Sequence, residues 1–349
     1  MKVGLYFDIR NPRSWRQDPA RLHAFTLEVI EEAEHLGADS IWLSEHHLYS
    51  DDYVAAPLTF LAAAAARTSR IRLGTAVVLA PLHHAVDIAE QAAMVDLISG
   101  GRLELGLGSG YRIPEYELFG ADPRRRYAQT DAKAKQIRRL LSPGGVLPQP
   151  VQAHVPIWMG YQGPQGARRA GLLGEHLLSA DARNWAHYRD GLRAGGHDVG
   201  RGRMAGWVNA WVSDDPEADW PTVRVHMAHQ FDTYAMHGVE RTGQPAPRPI
   251  DPDLIRAGAP DSLLGYFWCD VPQMVAAKIN DYTAGAPVDT VLIFASLAGM
   301  PESSVVRHVH AICTKLAPLL AASEHTLSTS ESESARSTDC SNNAFDLRS

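Results

Sequence analysis

Short apolar runs alternate along this chain with longer amphipathic segments, and this alternation is the feature that most constrains the fold. The segment 19–37 is a typical helix, because Asp18 can cap it, Pro19 suits its first position and Gly37 can end it. The apolar runs have the length of buried strands. We predict eight strands, at 2–8, 40–44, 71–79, 102–108, 156–160, 176–180, 203–212 and 289–295. Since helices separate them, the strands are expected to run parallel.

Eight such units in a chain of 349 residues predict an α/β fold, a single (β/α)8 TIM barrel, with a doubly wound sheet as the alternative. The segment 237–268 fits neither a strand nor a helix, and we interpret it as an insertion between the seventh and eighth strands. Its aromatic residues at 266–268 favour a folded lid or an interface. The barrel is expected to cover residues 1–321, and the Ser-rich segment 322–349 is predicted to be disordered because it has few apolar residues.

The overall composition limits the class of partner. The chain has 33 Lys and Arg residues against 40 Asp and Glu residues, a net charge of −7 and no long basic run, which argues against nucleic acid or an anionic membrane. Its three scattered cysteines fit a reducing compartment better than a disulfide scaffold. The first residues lack a signal-peptide pattern, and no apolar segment of about 20 residues could span a bilayer. We therefore expect a soluble cytoplasmic protein.

Histidines follow the second and third predicted strands. In a barrel the active site lies at the carboxyl ends of the strands, where Glu45, His46 and His47 are placed. A histidine there can transfer protons near neutral pH, or it can merely form hydrogen bonds across the barrel mouth. A zinc site from His46, His47, His83 and His84 has little support, because adjacent histidines cannot readily chelate one ion and the sequence has no HExxH motif. We expect no metal.

Two glycine-rich segments follow later strands. The run Gly106-x-Gly108-x-Gly110 fails the dinucleotide fingerprint because Tyr111 occupies the next position, but its glycines can let a flat or phosphorylated group approach; a simple tight turn is the alternative. The segment 160–166 leads directly into a helix. Unpaired backbone N–H groups at a helix N-terminus attract anions, so this turn predicts a phosphate site.

Three segments taken together resemble the bacterial-luciferase-like flavin monooxygenases. They are WLSEHH at 42–47, the long block at 70–111, and PIWMGYQGPQGARRAGLLG at 156–174. The resemblance extends over about residues 1–320 and is weakest over 180–288. It implies a (β/α)8 barrel that binds reduced flavin at its mouth. It also implies that oxygen is activated on FMNH2 as a C4a-peroxide, which then oxidises a second substrate.

The resemblance also implies roles for single residues. His46, which follows Glu45, matches the catalytic histidine of the family and would transfer protons and stabilise the flavin peroxide. The peptide bond between Ala76 and Val77 matches a position where the family commonly has a non-prolyl cis bond beneath the flavin. The implied catalytic residues are Glu45 and His46, and the implied cofactor contacts are Ala76, Val77, Gly108, Ser109, Tyr111, Gln162 and Gly163.

Two positions depart from luciferase itself. Luciferase has a reactive cysteine at the position of Gly108, so thiol chemistry is not implied here. It also has an arginine on the flavin phosphate at the position of Ser109. We expect this loss of charge to weaken FMN binding, unless Arg168 or another residue compensates.

The resemblance favours a two-component monooxygenase that receives FMNH2 from a separate NAD(P)H-dependent reductase and uses O2. A deazaflavin-dependent dehydrogenase on the same barrel is the alternative, although its relatives usually carry an Asp-His-like pair where this chain has Glu45-His46-His47. A barrel that binds flavin without turnover is a third possibility. A homodimer is expected from the habit of the family. Five aromatic residues near the mouth point to a hydrophobic or aromatic substrate, or else to ordinary core packing: Tyr6, Trp207, Trp211, Phe267 and Trp268.

Overall fold

Parallel strands close into an eight-stranded barrel in the computed structural model, which describes residues 1–259 and 264–322. The strands are β1 (Lys2–Phe7), β2 (Ser40–Leu43), β3 (Arg72–Thr75), β4 (Val78–Leu79), β5 (Leu103–Gly108), β6 (Ile157–Met159), β7 (His176–Leu178), β8 (Met204–Val208), β9 (Ala210–Val212), β10 (Trp268–Asp270) and β11 (Val288–Phe294). The main helices are α1 (Pro19–His35), α2 (Pro57–Arg67), α3 (Ala85–Ser99), α4 (Ile113–Leu118), α5 (Arg126–Leu140), α6 (Gly163–Leu173), α7 (Trp185–Ala194), α8 (Pro216–Val239), α9 (Pro252–Ala257), α10 (Pro272–Thr283) and α11 (Glu302–Ala311).

The strand order confirms the predicted barrel. It runs β3-β2-β1-β11-β8-β7-β6-β5-β4, and an additional pairing between β3 and β5 closes the ring. Every pairing is parallel, and all eight predicted strands are present. Because the strands are parallel, all their carboxyl ends lie at one end of the barrel, where the predicted site residues are expected to meet.

Two tryptophans fill part of the barrel interior. Trp42 on β2 and Trp158 on β6 meet edge to face with their ring centroids 5.9 Å apart, although these strands are not neighbours in the ring. Both side chains are almost fully buried. A Cβ atom on Gly74 would come within 2.2 Å of the Trp42 ring. Glycine at this position of β3 therefore makes room for the tryptophan.

Two of the predicted strands are interrupted. The strand predicted at 71–79 divides into β3 and β4 at the bond between Ala76 and Val77, which is cis, as the resemblance implies. The strand predicted at 203–212 divides at Asn209. Beyond Asn209, β9 leaves the barrel and pairs in parallel with β10, and the Asn209 carbonyl accepts a hydrogen bond from the Trp268 N–H at 2.9 Å.

The segment between the seventh and eighth barrel strands contains more regular structure than predicted. The expectation that 237–268 lacks helix and strand is wrong for the end of α8, for α9 and for β10. The start of α9 has a local cause, because the Asp251 carboxylate caps it by accepting hydrogen bonds from the N–H groups of Asp253 and Leu254, and Pro252 suits the first turn.

Some predictions fall on residues that the structure does not describe. Residues 260–263 of the insertion and 323–349 of the predicted disordered tail lie outside the described ranges. Residue 322, where we predicted the tail to begin, is still helical. Within the described ranges, no helix is long and apolar enough to cross a membrane.

Candidate active site

A cavity of about 1000 Å³ lies at the carboxyl ends of the barrel strands. One wall comes from the strand ends and the other from α8 and the segment after it. The lining includes seven of the nine predicted site residues, namely Glu45, His46, Ala76, Val77, Ser109, Tyr111 and Gln162. The barrel fold thus brings residues from four separate segments into one space, as the rule for strand ends predicts.

His46 is held at the cavity by a carboxylate that the sequence analysis missed. Its Nδ1 atom lies 2.8 Å from Oε1 of Glu115, and the same oxygen accepts a hydrogen bond from the His47 N–H at 2.8 Å. Glu115 belongs to α4 and is fully buried. Because a carboxylate only accepts hydrogen bonds, Nδ1 of the neutral imidazole carries the proton. Nε2 is then the atom that can take up a proton.

Tyrosine rings surround the His46 imidazole. Tyr49 stacks on it with a centroid distance of 4.7 Å, and Tyr53 meets it edge to face at 4.9 Å. Tyr111 and Tyr234 approach it at 5.4 and 6.1 Å. These contacts leave little rotational freedom to the ring, so its orientation is set before any ligand binds.

Glu45 has a different set of partners. Its Oε1 lies 2.7 Å from Nε2 of His47 and 2.5 Å from Nε2 of His83, and its Oε2 accepts a hydrogen bond from the Leu79 N–H at 2.8 Å. Burial alone would raise the pKa of Glu45, but these hydrogen bonds outweigh burial and lower the pKa to about 2. Glu45 is therefore ionised at neutral pH and fixes the backbone that follows the cis bond.

The same three side chains form the one group of potential metal ligands found among the described residues. The ligand atoms of Glu45, His47 and His83 all lie within 4.8 Å of one another. This set differs from the four histidines considered in the sequence analysis. The contacts of 2.7 and 2.5 Å are hydrogen-bond distances, and one carboxylate oxygen can accept from both rings. Hydrogen bonding accounts for the cluster, and the expectation of no metal stays a prediction.

The Val77 side chain explains why glycine occupies positions 108 and 160 at two strand ends. A Cβ atom on Gly108 would lie 2.3 Å from Cγ2 of Val77, and one on Gly160 would lie 2.5 Å from Cγ1. The expectation that the Gly108 position leaves space for a ligand needs correction, because the Val77 side chain takes that space. Gly108 does not line the cavity within the described structure, whereas Val77 does. A cofactor contact of Gly108 stays a prediction.

The predicted anion site lies at the start of α6. Gln162 lines the main cavity, and Gly163, with a φ of +67°, lines a neighbouring cavity of about 430 Å³ that Ser179, Asn184 and His187 also line. The first N–H groups of a helix have no partner within the helix, so this turn can hold an anion. Arg168, the expected compensating cation, is exposed on α6.

The insertion is linked to the histidine-bearing loop by a buried arginine. Arg112 donates hydrogen bonds to the His47 carbonyl and, at 2.8 Å, to the Glu240 carboxylate just beyond α8. His237 Nδ1 lies 3.0 Å from the same carboxylate. Burial raises the pKa of Glu240, but His237 and Arg112 outweigh it and lower that pKa. The end of α8 is thereby held close to His46.

The aromatic predictions are confirmed only in part. Tyr6 and Trp207 line the cavity. The other three follow the alternative of ordinary packing, because Trp211 stacks on His308 at 3.8 Å, Phe267 is buried near Phe231, and Trp268 stacks on Tyr266 at 4.5 Å. The aromatic lining that the sequence analysis missed consists of Tyr127, Phe231, Tyr234 and Phe294.

Comparison with known proteins agrees with this geometry. The model of the luciferase-like monooxygenase family matches residues 1–285. The chain belongs to this family. Limonene 1,2-monooxygenase from Rhodococcus erythropolis is 34% identical over 172 residues, which cover 45% of this chain and 44% of that protein. The oxygenase component of a flavin-dependent trigonelline monooxygenase from Acinetobacter baylyi is 36% identical over 102 residues, 29% of this chain and 28% of that protein.

The aligned segments span less than half the length of these two relatives. Solved structures share the fold over a longer range. The oxygenating constituent of 3,6-diketocamphane monooxygenase from Pseudomonas putida, in complex with FMN, has a TM-score of 0.70 and 18% identity and covers 92% of this chain and 98% of its own. An F420-dependent secondary alcohol dehydrogenase has a TM-score of 0.69 and 18% identity, covering 91% and 98%. The luciferase-like family thus places this chain among oxidoreductases.

Proposed function

We propose that this luciferase-like protein is a flavin-dependent monooxygenase that uses FMNH2 and O2 to oxidise a hydrophobic or aromatic small molecule. The observation that carries the proposal is the His46–Glu115 pair at a cavity that continues to the start of α6. An oriented histidine that can accept and donate a proton is the acid–base group that oxygen transfer requires. Intact backbone donors at α6 supply the place for a phosphate.

The residues present fit FMN. Ala76, Val77 and Leu79 offer an apolar wall for a flat ring, and Ser109 and Gln162 add polar groups at the same cavity. Gly163 and the N–H groups that follow it would hold the phosphate, next to the smaller cavity. Reduced flavin, when bound, supplies the two electrons that allow one atom of O2 to be transferred to a substrate. The chain's own residues bind and orient the flavin and the substrate, and they exclude water from the site.

We assign the proton chemistry to His46 and Glu115 of this chain. Glu115 fixes the proton on Nδ1 of His46, so that Nε2 faces the reaction as a base or, once protonated, as an acid. Glu45 acts on this site indirectly, because its oxygens accept hydrogen bonds from the rings of His47 and His83 and from the Leu79 N–H. We therefore propose a positioning role for Glu45 and a catalytic role for His46.

The substrate class follows from the lining opposite the flavin wall. Trp207, Phe231 and Phe294 are aromatic, and Ile250, Leu254 and Ile255 from the insertion are aliphatic. Apolar lining of this kind binds apolar ligands by removing their surface from water. We therefore propose that the insertion selects the substrate.

A separate reductase is proposed as the source of FMNH2. The relative from Acinetobacter baylyi is named as an oxygenase component, which supports a two-component system. A homodimer is expected from the resemblance to the family alone.

An anaerobic titration distinguishes the proposal from its main alternative. The protein is titrated with FMNH2 and, separately, with reduced deazaflavin, and binding is followed by absorbance and fluorescence. We expect saturable binding of FMNH2, and after a pulse of oxygen the bound flavin should reoxidise with kinetics different from those of free flavin. Tight binding of the deazaflavin without binding of FMNH2 would overturn the proposal in favour of hydride transfer.

A further inference from the structure

A group of buried charged side chains lies beside the main cavity and is not used by the function proposed above. Asp8 and Arg10 follow β1, and Asp51 lies in the loop after β2. The Asp51 carboxylate accepts a hydrogen bond from Arg10 Nε at 2.7 Å and lies 2.5 Å from Nη2. Asp8 Oδ2 lies 3.9 Å from Arg10 Nη1, and among the described residues this buried oxygen has no hydrogen-bond partner. Arg10 thus pairs closely with Asp51 and not with Asp8.

The balance of charge in this group favours a neutral Asp8. Two carboxyl groups share one guanidinium, so the group would be negative if both carboxyls were ionised. An uncompensated charge is strongly disfavoured inside a protein, whereas a neutral carboxyl is tolerated. Burial raises the pKa of Asp8 to about 7, with Arg10 opposing this effect and Asp51 adding to it. Other titratable neighbours are His229, which lies 3.9 Å from Asp51, and Glu302, which lines a small cavity with Asp8. The neighbouring tyrosines are Tyr6, Tyr49, Tyr53 and Tyr234.

Hydroxyl groups connect Asp8 to the wall of the main cavity. The Tyr234 hydroxyl on α8 neighbours the Asp8 carboxyl, whose pKa it lowers, and lies 2.8 Å from the Tyr53 hydroxyl. The Tyr53 hydroxyl bonds with Ser44 Oγ and lies 3.4 Å from the Tyr6 hydroxyl. Tyr6, Ser44 and Tyr234 all line the main cavity. The hydroxyl groups therefore form a path from a buried carboxyl to the space where substrate is proposed to react.

A third cavity lies on the other side of Asp8. It has a volume of about 30 Å³ and is lined by Asp8, Arg10, Gln17 and Glu302, among others. This volume is sufficient for a water molecule. Among the lining residues, the Glu302 side chain is 34% exposed to solvent. A proton lost from Asp8 can be replaced from this side.

We propose that Asp8 stores a proton for the main cavity and that Tyr234 and Tyr53 relay it to Ser44 and Tyr6. In one transfer the O–H bond of Asp8 breaks, each hydroxyl passes its own proton forward and receives one from behind, and an acceptor in the cavity gains a proton. Asp8 remains as a carboxylate until water in the small cavity protonates it again. No electrons move in this relay, and the path is separate from the His46–Glu115 pair.

The proton store can be tested on the full chain without cofactor. Infrared difference spectra recorded across neutral pH should contain a band of a protonated carboxyl that disappears with a midpoint near pH 7. Asp8→Asn should remove this band. Tyr234→Phe should raise the midpoint, because it removes a hydrogen-bond donor that lowers the pKa of Asp8. Tyr49→Phe is the matched control, since the Tyr49 hydroxyl bonds with Tyr111 at 2.6 Å and should leave the midpoint unchanged.

Two results of the infrared test would overturn the proposal. One is a band that survives in Asp8→Asn, and the other is a midpoint that Tyr234→Phe does not move. If Asp8→Asn fails to fold, Tyr234→Phe still decides, because this substitution keeps the ring and removes only the hydroxyl. The infrared test does not depend on any cofactor.

The relay itself rests on the proposed function and is tested in the flavin-loaded protein. Asp8→Asn and Tyr53→Phe should each slow turnover by roughly 10²-fold, as expected for a positioned acid–base group, while the flavin dissociation constant stays unchanged. The pH profile of turnover in Asp8→Asn should also lose the step whose midpoint coincides with that of the infrared band. Wild-type rates and pH profiles in both variants would refute the relay. A protein that binds no flavin would refute the proposed function and leave the infrared result intact.

Discussion

Replacement of Glu45 by glutamine tests how this carboxylate stabilises the barrel mouth. The amide keeps the size of the side chain but cannot carry the negative charge that accepts hydrogen bonds from His47, His83 and the Leu79 N–H. The pKa of Glu45 falls from its ordinary value of 4.5 to about 2. At 1.36 kcal/mol for each pH unit, the ionised form stabilises the fold by about 3 kcal/mol. We expect Glu45→Gln to lower the free energy of unfolding at pH 7 by about this amount.

The pH dependence gives the test its direction. Because the pKa of Glu45 is lower in the folded protein, its contribution is complete above pH 4.5 and is lost as the pH falls towards 2. The free energies of unfolding of wild type and Glu45→Gln should therefore differ by about 3 kcal/mol at pH 7 but only by about 2 kcal/mol at roughly pH 3.5. Urea denaturation followed by circular dichroism at both pH values measures it.

A matched control separates this effect from a general loss of charge. Glu90 is exposed on α3, and Glu90→Gln should leave the free energy of unfolding nearly unchanged at both pH values. The reasoning is refuted if Glu45→Gln costs less than about 1 kcal/mol at pH 7, or if its cost does not narrow on acidification.

Three further substitutions test the proposed cofactor and proton sites. His46→Ala should leave flavin binding nearly intact and reduce substrate oxidation by roughly 10²-fold, and wild-type turnover would exclude His46 from catalysis. Gly163→Glu should raise the flavin dissociation constant well above that of the control Gly163→Ala, because both variants carry the same backbone strain at a φ of +67°. Equal flavin dissociation constants in the two variants would exclude a phosphate site at the start of α6. Gly108→Ala should lower the melting temperature and weaken flavin binding, because the added methyl group would lie 2.3 Å from Cγ2 of Val77 and would displace that side chain. The control Gly238→Ala adds a methyl group in open space at the main cavity and should preserve the melting temperature. An equal drop in melting temperature in Gly108→Ala and Gly238→Ala would contradict the packing argument.

The fold was predictable because its signals are local. Asp18 and Pro19 begin α1 as expected, and Asp18 accepts a hydrogen bond from the Arg21 N–H. Asp251 and Pro252 carry the same signal for α9, which the sequence analysis overlooked. The break at Asn209 has no such signal, because β9 leaves the barrel to pair with β10, and these strands are far apart in the sequence.

The site was predictable only where it follows strand ends. Glu45, His46 and Ser109 come directly after strands, so the rule for barrels finds them. Glu115 lies 69 positions after His46 and reaches it through α4, and no spacing between the two residues indicates the contact. Tyr234 comes from α8 and meets Tyr53 at a sequence separation of 181. Contacts of this range depend on how the chain folds back over the mouth.

The consecutive residues Glu45, His46 and His47 divide between two tasks because successive residues leave a strand on opposite sides. Glu45 and His47 share a side and contact each other, whereas His46 points to Glu115 and the tyrosines. Of the two histidines, only His46 lines the main cavity of the described structure. Glu45→Gln should therefore act mainly on stability and on the backbone beside the site, whereas His46→Ala should act on the proton chemistry itself.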